Sequence, residues 1–201
     1  MSSECSNKAQ VLADVCSSLG TGELDDAVRT LRERYPFNPL KNAGRNWTPL
    51  QALHIFFRDG FIDRYTGLPL VFPGTLRIVS LHLPTDFPYH PNWKTDQCHL
   101  AYWELVPTID HVVPVSRGGT DDDTNWVTTS MVKNDSKANF TLQELGWRLF
   151  PGRSDSNWDG LTGWFSDELE RRPNLLNDAY VRKWERALRM RRNVGKVPVE
   201  R

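Results

Sequence analysis

Asp110 and His111 stand side by side in the run Asp110-His111-Val112-Val113-Pro114-Val115-Ser116-Arg117-Gly118-Gly119, and Asn125, Asn134 and Lys137 follow within a short stretch. A carboxylate is a hard oxygen ligand for a divalent cation, and an imidazole takes a proton readily near neutral pH. The side-chain carbonyl of Asn134 is a second hard oxygen. This set can hold one cation and activate one water, which is the chemistry of metal-assisted phosphodiester hydrolysis. Arg117 and Lys137 add positive charge suited to a phosphate.

Taken singly, the same residues have ordinary uses. Asp-His before a proline can form a turn, and Asn125 and Asn134 can cap helices. Arg117 and Lys137 serve equally well as solvated surface charge.

Such a set needs elements that bring it together. Residues 108–114 read as a strand, and residues 125–129 as its antiparallel partner. The polar loop between them carries Gly118-Gly119. Residues 130–140 read as the following helix, with Lys137 one turn beyond Asn134 on nearly the same face. The order is strand, loop, strand, helix.

Around this unit, residues 7–34 read as two helices broken at Gly20-Thr21-Gly22 and ended by Tyr35-Pro36-Phe37-Asn38-Pro39. Thr48-Pro49 reads as an N-cap with proline at the first helical position, opening a helix to Arg58. Tyr65-Thr66-Gly67 reads as a turn, residues 76–81 as an alternating strand, and residues 100–105 as a short helix. Thr141 and Glu144 have capping-box spacing. Residues 151–159 form a loop, and residues 161–170 and 175–192 read as helices.

At 201 residues the chain can bury one core with flanking elements. The expected division is an N-terminal helical segment over 1–60, a core over 61–147, and a C-terminal helical segment over 148–201. With 39% hydrophobic residues, 8 Trp and 9 Phe, the composition excludes disorder. No run of about 18 apolar residues is present, so no membrane span is expected. The start Met1-Ser2-Ser3-Glu4-Cys5 has no basic stretch followed by an apolar run, so a cytoplasmic protein is expected. Cys5, Cys16 and Cys98 are odd in number and hold no CxxC pair, against both a disulfide framework and a four-cysteine zinc site.

Together, Asp110-His111-Val-Val-Pro, Gly118-Gly119, Asn125, Asn134 and Lys137 resemble the HNH family of ββα-metal nucleases. The steps of fourteen residues from His111 to Asn125 and nine to Asn134 fit the family without a gap. The motif spans about 30 residues, within a wider resemblance over residues 61–147. The resemblance implies an α+β fold, a ββα-metal (His-Me finger) core with helical flanks. It also implies a divalent-metal-dependent endonuclease acting on DNA, with RNA not excluded. Asp110 and Asn134 would bind one Mg²⁺, Mn²⁺ or similar ion, His111 would be the general base, and Asn125 would brace the loop and orient the histidine. Neighbours on a regular strand point to opposite faces. The family's strand is irregular at this point, which lets the pair straddle the scissile phosphate. A monomer would nick one strand, and a homodimer could cut both. The alternative is an HNH-fold nucleic-acid-binding module without activity.

Formal net charge is zero, so nucleic-acid binding rests on local patches. Asp121-Asp122-Asp123 is an acidic tip, whereas Arg182, Lys183, Arg186, Arg189, Arg191, Arg192 and Lys196 crowd the C-terminus. Arg182, Arg186 and Arg189 share one helix face opposite Trp184 and Leu188, suited to a phosphate backbone or simply to solvent. His82, His90, Cys98 and His99 match no standard zinc spacing. The family's frequent cysteine knuckles are absent, and Phe72, Phe87, Tyr89, Trp93, Tyr102 and Trp103 are expected to staple this region instead.

Overall fold

Pro73 starts a helix where the alternating run 76–81 suggests a strand: in the computed structural model, Pro73–His82 is α-helical. Proline at the first helical position presets φ and loses no hydrogen bond there. Six residues are too few to separate a period of two from one of 3.6 when the segment is buried on several sides. The structure describes residues 8–37, 47–152 and 157–194. Cys5, Asn7, Asn38, Pro39, Lys196 and part of the loop 151–159 lie outside the described residues.

The chain divides into two compact units, residues 1–41 and 42–201. In the first, helices α1 (Lys8–Gly20) and α2 (Leu24–Arg34) bury Val11, Val15 and Ala27. Arg34 pairs with Asp14 at 2.6 Å.

The second unit is a mostly helical α+β fold. Helix α3 (Pro49–Arg58) opens with a capping box: Thr48 Oγ1 accepts from Gln51 N, and the Gln51 side chain accepts from Thr48 N. Next come α4 (Pro73–His82) and α5 (Ala101–Glu104), then strand β1 (Pro107–His111), a 3₁₀ turn (Val115–Arg117), strand β2 (Trp126–Ser130) and helix α6 (Met131–Lys137). Helices α7 (Leu142–Leu145) and α8 (Thr162–Arg171), a 3₁₀ turn (Pro173–Asn177) and α9 (Ala179–Val194) complete it. The expected helix 175–192 is thus two pieces, because Asp178 caps α9. Its Oδ1 accepts from the backbone N–H of Tyr180 and Val181 at 3.0 Å.

Strands β1 and β2 form a two-stranded antiparallel sheet with Ile109 opposite Thr128, Asp110 opposite Val127 and His111 opposite Trp126. A lone hairpin is marginal in water. Here one face is covered by α3, whose Leu53, Ile55 and Phe56 join Ile109, Phe165, Val181 and Trp184 in the main core. Each such side chain contributes about 1.5–3 kcal/mol on burial. Because α3 packs into this core and against α9, the expected boundary at residue 60 falls inside the larger unit. Two buried carboxylates fasten β2. Asp59 Oδ2 accepts from Thr128 N at 2.8 Å, and Asp63 accepts from Thr129 Oγ1 and Ser130 N. A second cluster packs Phe87, Tyr89, Trp93 and Trp103 around Tyr102, Cys98 and Val106. No described helix is long and apolar enough to cross a membrane.

Candidate active site

Strand β1 and helix α6 meet at Asp110. Its carboxylate is 2% exposed; Oδ2 accepts from Tyr65 Oη at 2.6 Å and forms an ion pair with Lys137 Nζ at 2.9 Å. Burial pushes the Tyr65 phenol well above its ordinary pKa, and the charge and hydrogen bond of Asp110 push it further. Tyr65 therefore stays a donor at any ordinary pH. Lys137 is fully buried, and its Nζ also donates to the His111 carbonyl at 2.7 Å. The lysine locks α6 against β1 and has no surface from which to touch phosphate. That removes it from the expected phosphate contacts, because its charge is spent on a buried carboxylate.

Asn134, one turn earlier on α6, donates through Nδ2 to the Ile109 carbonyl at 3.3 Å. The carbonyl half of its amide is what remains to meet a cation. Asp110 would offer a carboxylate oxygen to an ion at the same junction. Hard oxygens are the donor type that a Mg²⁺-type ion takes, with the rest of its shell drawn from water and phosphate. Among the described residues, no group of three or more His, Cys, Asp or Glu side chains is placed to hold a metal.

His111 leaves the strand on the other face. The ladder pairs one for one through His111 and Trp126, without the irregularity the resemblance implied. Its ring is 0% exposed, enclosed by Trp47 at 5.7 Å and by Trp126 at 6.3 Å between ring centroids. Nε2 lies 2.7 Å from Asp121 Oδ1 and 3.0 Å from Trp126 Nε1. Nδ1 is buried without a hydrogen-bond partner.

The loop between the strands is built to close tightly. Gly118 adopts φ +89°, a left-handed conformation that favours glycine. At Gly119 a Cβ would sit 1.9 Å from the Val113 carbonyl oxygen, so no side chain fits. Asn125 ties the loop to its base: Oδ1 accepts from Val113 N at 2.9 Å, and Nδ2 donates to the Val113 and Thr120 carbonyls at 2.8 Å. Arg117 is half-exposed and reaches Glu144 on α7 at 3.5 Å.

The other expected contacts lie on α9. Arg182, Arg186 and Arg189 are exposed, on the face away from Trp184 and Leu188. Arg182 donates to the Leu176 carbonyl, and Arg189 pairs with Glu185 at 3.3 Å. The loop histidines are engaged locally. His99 stacks on Phe87 and accepts from Ala101 N, His90 accepts from Asn92 N, and His82 pairs with Glu168.

Tyr65, Trp47 and Asp121 were not singled out from sequence as site residues. Tyr65 lies in a turn and Asp121 in a run of three acids, and neither position carries spacing that points to the site. No protein-family model matches the chain, and neither a curated protein nor a solved structure matches it.

Proposed function

We propose that the chain is a divalent-metal-dependent endonuclease of the HNH type, with a ββα-metal core, acting on DNA. The observation that supports this reading is the junction of β1 and α6, where Asp110 is held by Tyr65 and Lys137 and Asn134 reaches the Ile109 carbonyl, within a strand, loop, strand, helix unit. Asp110 and Asn134 would hold the ion. When bound, it supplies charge neutralisation at phosphorus and at the leaving oxygen. His111 would take a proton from water as the water oxygen bonds to phosphorus, which requires the strand end to leave its regular ladder and uncover the ring, since the ladder sets His111 on the face opposite Asp110. The bond from phosphorus to the 3′ oxygen then breaks, that oxygen gains a proton, and 5′-phosphate and 3′-hydroxyl ends result. Asn125 holds the loop beside the histidine, and Tyr65 and Lys137 fix the Asp110 carboxylate in one orientation. Arg117 and the α9 arginines supply phosphate contacts.

A second reading, a nucleic-acid-binding module of this fold without cleavage, is favoured by two observations. His111 is wholly enclosed, and Lys137 already shares the Asp110 charge. The two readings part in a single-turnover assay on a labelled duplex with Mg²⁺ or Mn²⁺. The enzyme reading expects metal-dependent cleavage with 5′-phosphate and 3′-hydroxyl ends, lost in Asp110→Ala and Asn134→Ala. Salt-sensitive binding with no cleavage at any metal concentration would establish the second reading instead.

A further inference from the structure

The acidic tip that the motif leaves unexplained reaches back to His111. Asp121 Oδ1 lies 2.7 Å from His111 Nε2 and 3.2 Å from Trp126 Nε1. Three polar atoms thus converge, and with the imidazole neutral only one arrangement of protons satisfies them. The indole N–H can only donate and the carboxylate can only accept. Both hydrogens therefore point to Asp121, and the histidine carries its proton on Nε2. That leaves Nδ1 as a lone pair, and Nδ1 is the buried ring nitrogen without a partner among the described residues.

The loop around Asp121 is fixed from both sides. Gly119 packs on the Val113 carbonyl, and Asn125 holds the Thr120 carbonyl. Asp122 Oδ1 accepts from the backbone N–H and hydroxyl of Thr124, and Asn125 N donates to the Asp122 carbonyl. Asp121 itself remains 53% exposed at the side chain, so it is held at the rim rather than packed into the core.

We propose that Asp121 is the positioning residue for His111, fixing the Nε2–H tautomer so that Nδ1 is the nitrogen that accepts the proton of the attacking water. The catalytic part rests on the nuclease reading, whereas the tautomer does not. Trp126 makes the assignment sharp. Without Asp121, the indole N–H stands 3.0 Å from Nε2 and would donate to it, moving the histidine proton to Nδ1.

The test is heteronuclear NMR of the metal-free protein with isotope-labelled histidine, reading the nitrogen shifts of the neutral His111 ring. The wild type is expected as the Nε2–H tautomer. Asp121→Asn keeps it, since the carboxamide oxygen still accepts, and Asp121→Ala shifts the population to Nδ1–H. In the cleavage assay, Asp121→Ala is expected to lose about 10–100-fold in rate and Asp121→Asn to recover most of it. A wild-type Nδ1–H ring, or an Asp121→Ala ring unchanged from wild type, would overturn the proposal. Cleavage absent from wild type alongside the expected tautomers would sink the nuclease reading and leave the positioning contact standing.

Discussion

Lys137 determines what kind of site Asp110 can be. A buried carboxylate without a partner is strained by desolvation, and this one has a phenol and an ammonium on a single oxygen. The pair holds the carboxylate still. Lys137→Met should therefore cost about 3–5 kcal/mol in chemical denaturation, because it strands Asp110, and adding Asp110→Asn should restore most of that. A loss below about 1 kcal/mol would mean the pair behaves like a surface ion pair. The elements under the motif were legible in sequence, since Asp110 and His111 sit on the expected strand and Asn134 on the expected helix, with Asn125 one residue ahead of the second strand. The burial of Lys137 was not, because its spacing from Asn134 places it on a helix face without saying what covers that face. Asp121 was hidden for a related reason: three consecutive acids look alike until a fold aims one of them.

Among the elements, α9 depends on Asp178. The residue caps the helix and also accepts from Arg77 Nη2 on α4 at 2.6 Å, so one side chain ties two helices. Burial raises its carboxyl, but the Arg77 guanidinium and the cap N–H groups outweigh that and hold it below the usual 3.8. A carboxyl lowered on folding stabilises fully above its unfolded pKa, and the contribution is lost as pH falls through the folded value. Asp178→Ala should thus destabilise by about 2 kcal/mol at neutral pH and by much less near pH 2. Equal losses at both pH values would contradict the account. The cap was missed because residues 175–192 keep one apolar rhythm across the break. The run 76–81 misled differently, since Leu76, Ile78 and Ser80 are all buried inside a helix and a buried helix can imitate alternation. Thr48 and Thr141 were legible because a capping box is local chemistry and needs no tertiary partner.

At the scale of the molecule, helices α3 and α9 support a short hairpin that could not stand alone, and aromatic packing around Tyr102 forms a second core. The α9 arginines give this body its candidate phosphate-tracking face. If they serve that role, replacing Arg182, Arg186 and Arg189 with alanine lowers the salt slope of duplex binding by about one for each phosphate no longer neutralised. An unchanged slope would place the phosphate-binding face on another surface. The central claim is that the Asp110, His111 and Asn134 set hydrolyses phosphodiesters, and the nicking rate of a supercoiled plasmid over a Mg²⁺ titration tests it most directly. The account predicts saturable, metal-dependent nicking by the wild type and a loss of about 10²–10⁴-fold in His111→Ala. No nicking by the wild type, or equal nicking by His111→Ala, would contradict it.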